Sequence, residues 1–164
     1  MPVSIRSATP VDAKTIVSLI LELADYEKLR HEAVPDADAL RTHLSSDGYP
    51  HVEALVAEDE ETGPVGFALY FHNYSTFLTR FGIYLEDLYV RPDFRGQGIG
   101  FALLKRVAEV AVERGCGRME WAVLDWNAPA VKFYRRLGAK PMDDWTVMRL
   151  TGDALRTLGE ADGF

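Results

Sequence analysis

The chain has 164 residues, 48% hydrophobic, 26% charged and 11% aromatic, a balance that excludes a disordered chain and suits one globular domain. Eighteen Lys and Arg against 25 Asp and Glu leave a net charge of −7, which works against partnership with nucleic acid or anionic lipid. A single cysteine, Cys116, excludes an intrachain disulfide, and no uncharged run reaches the roughly 18 residues of a membrane span.

Residues 3–6 read as a short strand. Thr9, Pro10 and Asp12 then supply an N-cap, a first-turn proline and an acid that open a helix. Ile16, Leu19, Ile20, Leu23 and Tyr26 follow at helical spacing, and the helix is expected to end near Leu29. A second helix starts near Pro35 and Asp36, carries Leu40 and Leu44 on one face, and is broken by Ser45, Ser46, Asp47 and Gly48. From His51 the pattern turns to strands: 52–58 and 65–71 form a hairpin around residues 60–64, and 83–90 form a third strand. A glycine-rich turn leads into a helix over 100–114, whose Leu103, Leu104, Val107 and Ala111 share a face. Residues 118–124 read as a strand, 127–137 as a helix with Pro129 in its first turn and Gly138 past its end, and 144–150 as a last strand.

Antiparallel strands followed by strand, helix, strand, helix and strand predict an α/β fold with a mixed sheet, and a parallel crossover from 83–90 through 100–114 to 118–124. No repeat, linker or low-complexity segment divides the chain, so residues 1–164 are read as one domain. The amino terminus lacks a basic head followed by an apolar run, and with one cysteine the expectation is a soluble, cytoplasmic protein.

The turn reads Arg95-Gly96-Gln97-Gly98-Ile99-Gly100 between a strand and a helix. Glycines allow close backbone approach, and a helix start presents unpaired amides and the positive end of its dipole, so the segment suits a phosphate. It also reads as a plain tight turn. The dinucleotide fingerprint needs glycine where Phe101 stands, and the P-loop needs Gly-Lys-Ser or Gly-Lys-Thr, so neither nucleotide class is favoured.

Arg95, Gly98 and Gly100, following Val90-Arg91-Pro92, match the signature of the GCN5-related N-acetyltransferases: Arg or Gln, two residues, Gly, one residue, Gly or Ala. Four further segments resemble the diamine acetyltransferase subfamily, which includes spermidine/spermine and thialysine acetyltransferases. They are Leu23-Ala24-Asp25-Tyr26-Glu27-Lys28-Leu29, Tyr84-Leu85-Glu86-Asp87-Leu88-Tyr89-Val90, Val123-Leu124-Asp125-Trp126-Asn127 and Phe133-Tyr134-Arg135-Arg136-Leu137-Gly138-Ala139. The resemblance implies a mixed, mostly antiparallel sheet with helices on both faces and acetyl-CoA as cosubstrate. It further implies a small cationic amine as acceptor, and a homodimer.

Acetyl transfer to an amine needs a neutral amine, a polarised thioester carbonyl and an acid for the thiolate. An amine of pKa near 10.4 costs about 4.6 kcal/mol to deprotonate at pH 7. The resemblance makes Glu86 the base, acting through water, and Tyr134 the general acid. In a regular strand Glu86 and Asp87 point to opposite faces, so one is catalytic and the other holds substrate charge unless a bulge turns both inward. Two solvated acids at a strand end is the plainer reading. Asn127 and Tyr134 lie seven residues apart, nearly on one helical face, where Asn127 both caps the helix and, by resemblance, bonds the pantetheine arm. Backbone from Leu88, Tyr89 and Val90, with Arg95, Gly96, Gln97, Gly98, Ile99 and Gly100, is the rest of the expected coenzyme site. Arg91, Arg95 and Lys105 are equally readable as phosphate attractors or as solvated charges.

Tyr26 and Glu27 match subfamily positions lining the amine end, Glu86 and Asp87 add negative charge to the substrate site, and Phe77 and Trp145 offer aromatic faces for ammonium groups. The acidic stretch before Trp145 is shorter than usual, only Met142-Asp143-Asp144. Cys116 between two glycines lacks an evident base and reads as structural. His31, His43, His51 and His72 show no metal-ligand spacing, so no metal is expected. Other readings are an acetyltransferase acting on a peptide amine or an aminoglycoside, and a non-catalytic acetyl-CoA-binding module.

Overall fold

The computed structural model describes residues 2–45, 47 and 51–163. The helix-breaking stretch expected at 45–48 falls partly outside the described residues, at Ser46 and Gly48. Two compact units make up the chain, residues 1–124 and 125–164.

The first unit holds a five-stranded sheet in sequence order: β1 (Val3–Ser7), β2 (Glu53–Asp59), β3 (Gly63–Ser75), β4 (Arg80–Val90) and β5 (Met119–Trp121). Pairing is antiparallel from β1 to β4 and parallel between β4 and β5, so the sheet is mixed and mostly antiparallel. Three helices accompany it: α1 (Ala13–Tyr26), α2 (Ala37–His43) and α3 (Ile99–Glu113). Ile16, Leu19 and Leu23 of α1 pack with Ala54, Val56, Phe67, Leu69 and Tyr89. Strand residues of the opposite parity, Leu55, Ala57, Ala68 and Tyr70, are buried too. Both sheet faces are therefore covered, and α3, which lies against β3 and β4, takes the face opposite α1. A fully buried Ile16 or Leu103 each contributes about 1.5–3 kcal/mol of transfer free energy.

The N-terminal signals act as expected. The Thr9 amide donates to the Asp12 carboxylate at 2.8 Å, and Asp12 is also gripped by Arg6 at 2.9 Å. Asp36 caps α2, accepting from the amides of Asp38 and Ala39. α1 stops at Tyr26 rather than near Leu29, because Lys28 takes a left-handed φ of 62° and the Leu29 amide folds back onto the Ala24 carbonyl at 2.9 Å. β5 is shorter than the expected 118–124. Its parallel partner runs only over Ile83–Leu85, because β4 bulges at the next residue and bends away.

The second unit contains α4 (Ala128–Arg136) and α5 (Gly152–Gly159). Residues 144–150, expected as a strand, have no strand partner among the described residues, and Trp145, Val147 and Met148 are exposed. Alternation expresses strand propensity but names no partner, and the ladder decides the element. α5 was not expected, although Leu155 and Leu158 stand at helical spacing behind Thr151.

Candidate active site

The register of β3 with β4 shifts between Leu69↔Asp87 and Tyr70↔Leu85, which leaves Glu86 as the extra residue of a β-bulge. The sequence raised this device as the one way for two adjacent acids to escape strict alternation, and it sits at that pair. Glu86 is exposed and Asp87 half-buried. From Glu86 onward the β4 edge turned away from β3 has no strand partner among the described residues, and on that stretch the Val90 carbonyl accepts from Arg95. The Tyr89 side chain is not: its ring is buried and its hydroxyl donates to Glu22 at 3.2 Å.

Asp87 opens into a cavity of about 190 Å3 lined also by Ile20, Leu23, Ala24, Glu27, Leu29, Glu32 and Ala33. Burial, then the charges of Glu86 and Glu27, push the Asp87 carboxyl up to about 6. Burial also raises Glu27. Glu27, Glu32 and Asp87 thus share a small, partly apolar pocket, which favours a cation. Tyr26, at the end of α1, is part-exposed and lies under the Arg95 guanidinium, 4.7 Å from its ring centre. Phe77 stands almost fully exposed at the β3–β4 connection and does not line this cavity.

The glycine-rich turn forms a cradle. Gly96 and Gly98 have φ of +77° and +83°, and a Cβ on either would meet no protein atom within 4 Å. Gly98 is the N-cap of α3 and its carbonyl accepts from Ala102 at 2.9 Å, while the amides of the first helical turn have no intrahelical acceptor. Gly100 needs neither positive φ nor space, since a Cβ there would sit 3.9 Å from the Val90 side chain. That explains in steric terms why alanine suits the signature's last place. Ile99 is buried and Gln97 exposed.

The three cations that the sequence offered for phosphate are each engaged. Arg91 pairs with Glu22 at 3.0 Å and donates to the Pro64 carbonyl. Arg95 donates through Nε to the Val90 carbonyl at 2.8 Å, and Lys105 pairs with Glu109. Neither Arg91 nor Arg95 is a plain solvated charge. Glu22, which ties Tyr89 and Arg91 together, had no sequence signal to set it apart from Asp25, the other acid of α1.

In the second unit Asn127 is the N-cap of α4 and its carbonyl accepts from Val131 at 3.1 Å, with no side-chain capping bond. Tyr134 is half-buried, its ring centre 5.5 Å from that of Phe133. Trp145, Asp143 and Asp144 are exposed.

The Cys116 sulfur lies 4.0 Å from Nδ1 of His72, a proximity the sequence did not suggest. His72 is no base for it. Arg114 can only donate, so Nε2 accepts from it at 2.9 Å, and Nδ1 keeps its proton and donates to the Gly82 carbonyl at 3.0 Å.

The profile of the Acetyltransferase (GNAT) family matches residues 19–139. The chain belongs to that family. It is 44% identical to the thialysine N-epsilon-acetyltransferase of Bos taurus, over 95% of this chain and 96% of that protein. It is 34% identical to the L-ornithine N5-acetyltransferase of Arabidopsis thaliana, over 94% of this chain and 86% of the relative. Among solved structures, an integron cassette protein from the mobile metagenome of V. cholerae superposes with a TM-score of 0.79 at 27% identity, over 98% of this chain and 99% of that one. The GNAT family uses acetyl-CoA as cosubstrate, and the cradle fits its phosphates: two left-handed glycines leave open space before a helix N-terminus. No helix among the described residues is long and apolar enough to cross a membrane.

Proposed function

We propose that the protein moves the acetyl group of acetyl-CoA directly to the primary amine of a small cationic substrate of the diamine or thialysine type, with residues 1–164 acting as one N-acetyltransferase domain. The observation that carries this reading is the pairing, on one strand, of an acidic cavity around Asp87 with the glycine cradle that follows Val90. Thialysine and ornithine, named in the relatives, are small amines of the charge such a cavity accepts.

When bound, acetyl-CoA supplies the acetyl thioester. The chain's own contribution is fourfold. Amides of Gly96 to Gly100 and the α3 dipole hold phosphate, and Asn127 bonds the pantetheine arm. A backbone N–H between Leu88 and Val90 donates to the thioester oxygen as a single-donor oxyanion site. Tyr26, Glu27, Glu86 and Asp87 hold the cationic amine, and Glu86 takes its proton through water. Tyr134 returns a proton to sulfur. The roles of Asn127 and Tyr134 rest on the resemblance. The same resemblance supports a homodimer, while the single cysteine supports a cytoplasmic place, the net charge of −7 argues against nucleic acid or anionic lipid as partner, and the histidine spacing argues against a metal; light scattering that shows a monomer at working concentration refutes the dimer.

The test is a panel of thialysine, ornithine, putrescine, spermidine, an aminoglycoside and a lysine peptide, each with acetyl-CoA and a colorimetric thiol readout. Thiol release is expected with the small diamines and amino acids. A preference for the aminoglycoside or the peptide refutes the substrate class, and acetyl-CoA binding without thiol release from any amine refutes the enzyme.

A further inference from the structure

Where α1 ends, the chain turns back over the cavity that the helix lines. Lys28 takes a φ of 62°, the Leu29 amide donates to the Ala24 carbonyl at 2.9 Å, and the Glu32 amide donates to the Leu29 carbonyl at 2.9 Å. A short 3-10 turn, Arg30–Glu32, therefore stands beside the last turn of α1. This fold-back is what brings Glu32 to the cavity. In a continued helix Glu27 and Glu32 would diverge by about 140°, whereas here both line one space with Asp87.

The cavity is graded from one end to the other. Asp87 is half-buried on β4 and Glu27 half-buried on the α1 wall, while the Glu32 side chain is 62% exposed and so marks the rim. Between the acids the wall is apolar, made by Ile20, Leu23, Ala24, Leu29 and Ala33. Its volume of about 190 Å3 exceeds the roughly 150 Å3 that takes a benzene, enough for a chain of about five carbons. The basic residues of the turn leave the rim acid accessible. Arg30 donates to the Ala33 carbonyl at 3.5 Å and lies 4.0 Å from Asp25. His31 reaches Glu32 only at 4.0 Å, with 74% of its side chain exposed.

We propose that Glu32 determines specificity: it receives the second cationic group of a diamine whose reacting amine lies at the Asp87 end, and it makes the site prefer a diamine to a monoamine of equal length. This rests on the acetyltransferase reading above. The methylenes between the two nitrogens leave water against the apolar wall, and each ammonium keeps an anionic partner. A monoamine buries the same methylenes but sets a methyl group at the rim, where Glu32 offers it nothing. The rim pair is wet, so its effect is modest and is screened by salt.

The experiment measures kcat/KM for putrescine and for butylamine, which has the same carbon chain and one charge fewer, at low and high salt. Wild type, Glu32→Gln, Glu32→Asp and Glu32→Lys are compared by the ratio of the two amines. Glu32→Gln is expected to lower the putrescine-to-butylamine ratio about 2- to 5-fold, and Glu32→Lys, which reverses the charge, about 5- to 25-fold. Glu32→Asp retains part of the preference, and high salt shrinks the difference between wild type and Glu32→Gln. A ratio that is the same in all four proteins overturns the proposal. So does a loss of rate shared equally by both amines, since Glu32 then only shapes the turn. A wild type that releases no thiol with either amine refutes the transferase reading instead. Calorimetry of putrescine binding to wild type and Glu32→Gln then reads the cavity alone, and equal affinities overturn the role of Glu32.

Discussion

Replacing Asp87 by Asn should stabilise the protein, and by an amount that depends on pH. An aspartate raised from 3.8 to about 6 in the folded state binds more protons folded than unfolded between those values. Its ionisation therefore opposes folding: the cost is absent below about pH 3.8, grows as pH rises to about 6, and is full above it. This is the reverse of the usual salt-bridged carboxylate. The difference is about 2.2 units, or up to about 3 kcal/mol at 1.36 kcal/mol per unit. Asn keeps the shape and removes the charge, and its removal also relieves Glu27 and Glu86. Urea unfolding of wild type and Asp87→Asn at pH 3.5, 5 and 8 gives the difference directly, provided the transitions stay two-state. The variant should match wild type at pH 3.5 and exceed it by 1–3 kcal/mol at pH 8. A gap that does not change with pH, or a variant that is weaker at pH 8, would show that Asp87 is solvated or paired.

Gly98→Val forces a β-branched residue to a φ of +83° and fills the open space of the cradle. It should cost about 1–2 kcal/mol in stability and weaken acetyl-CoA binding about 10- to 100-fold by calorimetry, whereas unchanged affinity in a folded variant places the phosphates elsewhere. Gly100→Ala is the contrast: with ordinary contacts and helical backbone it should raise stability by up to about 1 kcal/mol and leave affinity within about threefold. Tyr134→Phe removes one hydroxyl and keeps the ring. It should lower kcat about 10²- to 10⁴-fold with little change in coenzyme affinity, and turnover within about threefold of wild type refutes the acid role.

The elements that carry local signals were readable in the sequence. The Thr9 to Asp12 cap, the Asp36 cap, the hairpin around residues 60–64 and the glycine turn each rest on chemistry within a few residues, and each stands where it was expected. What depends on distant partners was not readable. Residues 144–150 alternate like a strand, but alternation says nothing about which edge they join, and none is joined among the described residues. The brace of Arg95 on the Val90 carbonyl and the Tyr26 ring brings α1 to the cradle across some 70 residues of sequence. No spacing rule announces such a contact. The same holds for Glu22, whose partners Tyr89 and Arg91 appear only once the sheet has formed.

The bulge is where these two kinds of information meet. In an unbroken ladder Glu86 and Asp87 would face opposite sides, so one acid would have to leave the site or intrude on the core packed against the sheet. One extra residue in β4 removes that conflict, and it does two further things at the same place. It ends the pairing with β5 at Leu85, which frees the β4 edge beyond it, and it leaves Asp87 in the cavity beside Glu27 while Glu86 stays in water. A single insertion thus sets both the open backbone and the unequal acids. Deleting Glu86 should restore alternation, close the edge and abolish function even where the sheet survives. Simple replacement of its side chain leaves the bulge in place and removes only the carboxylate.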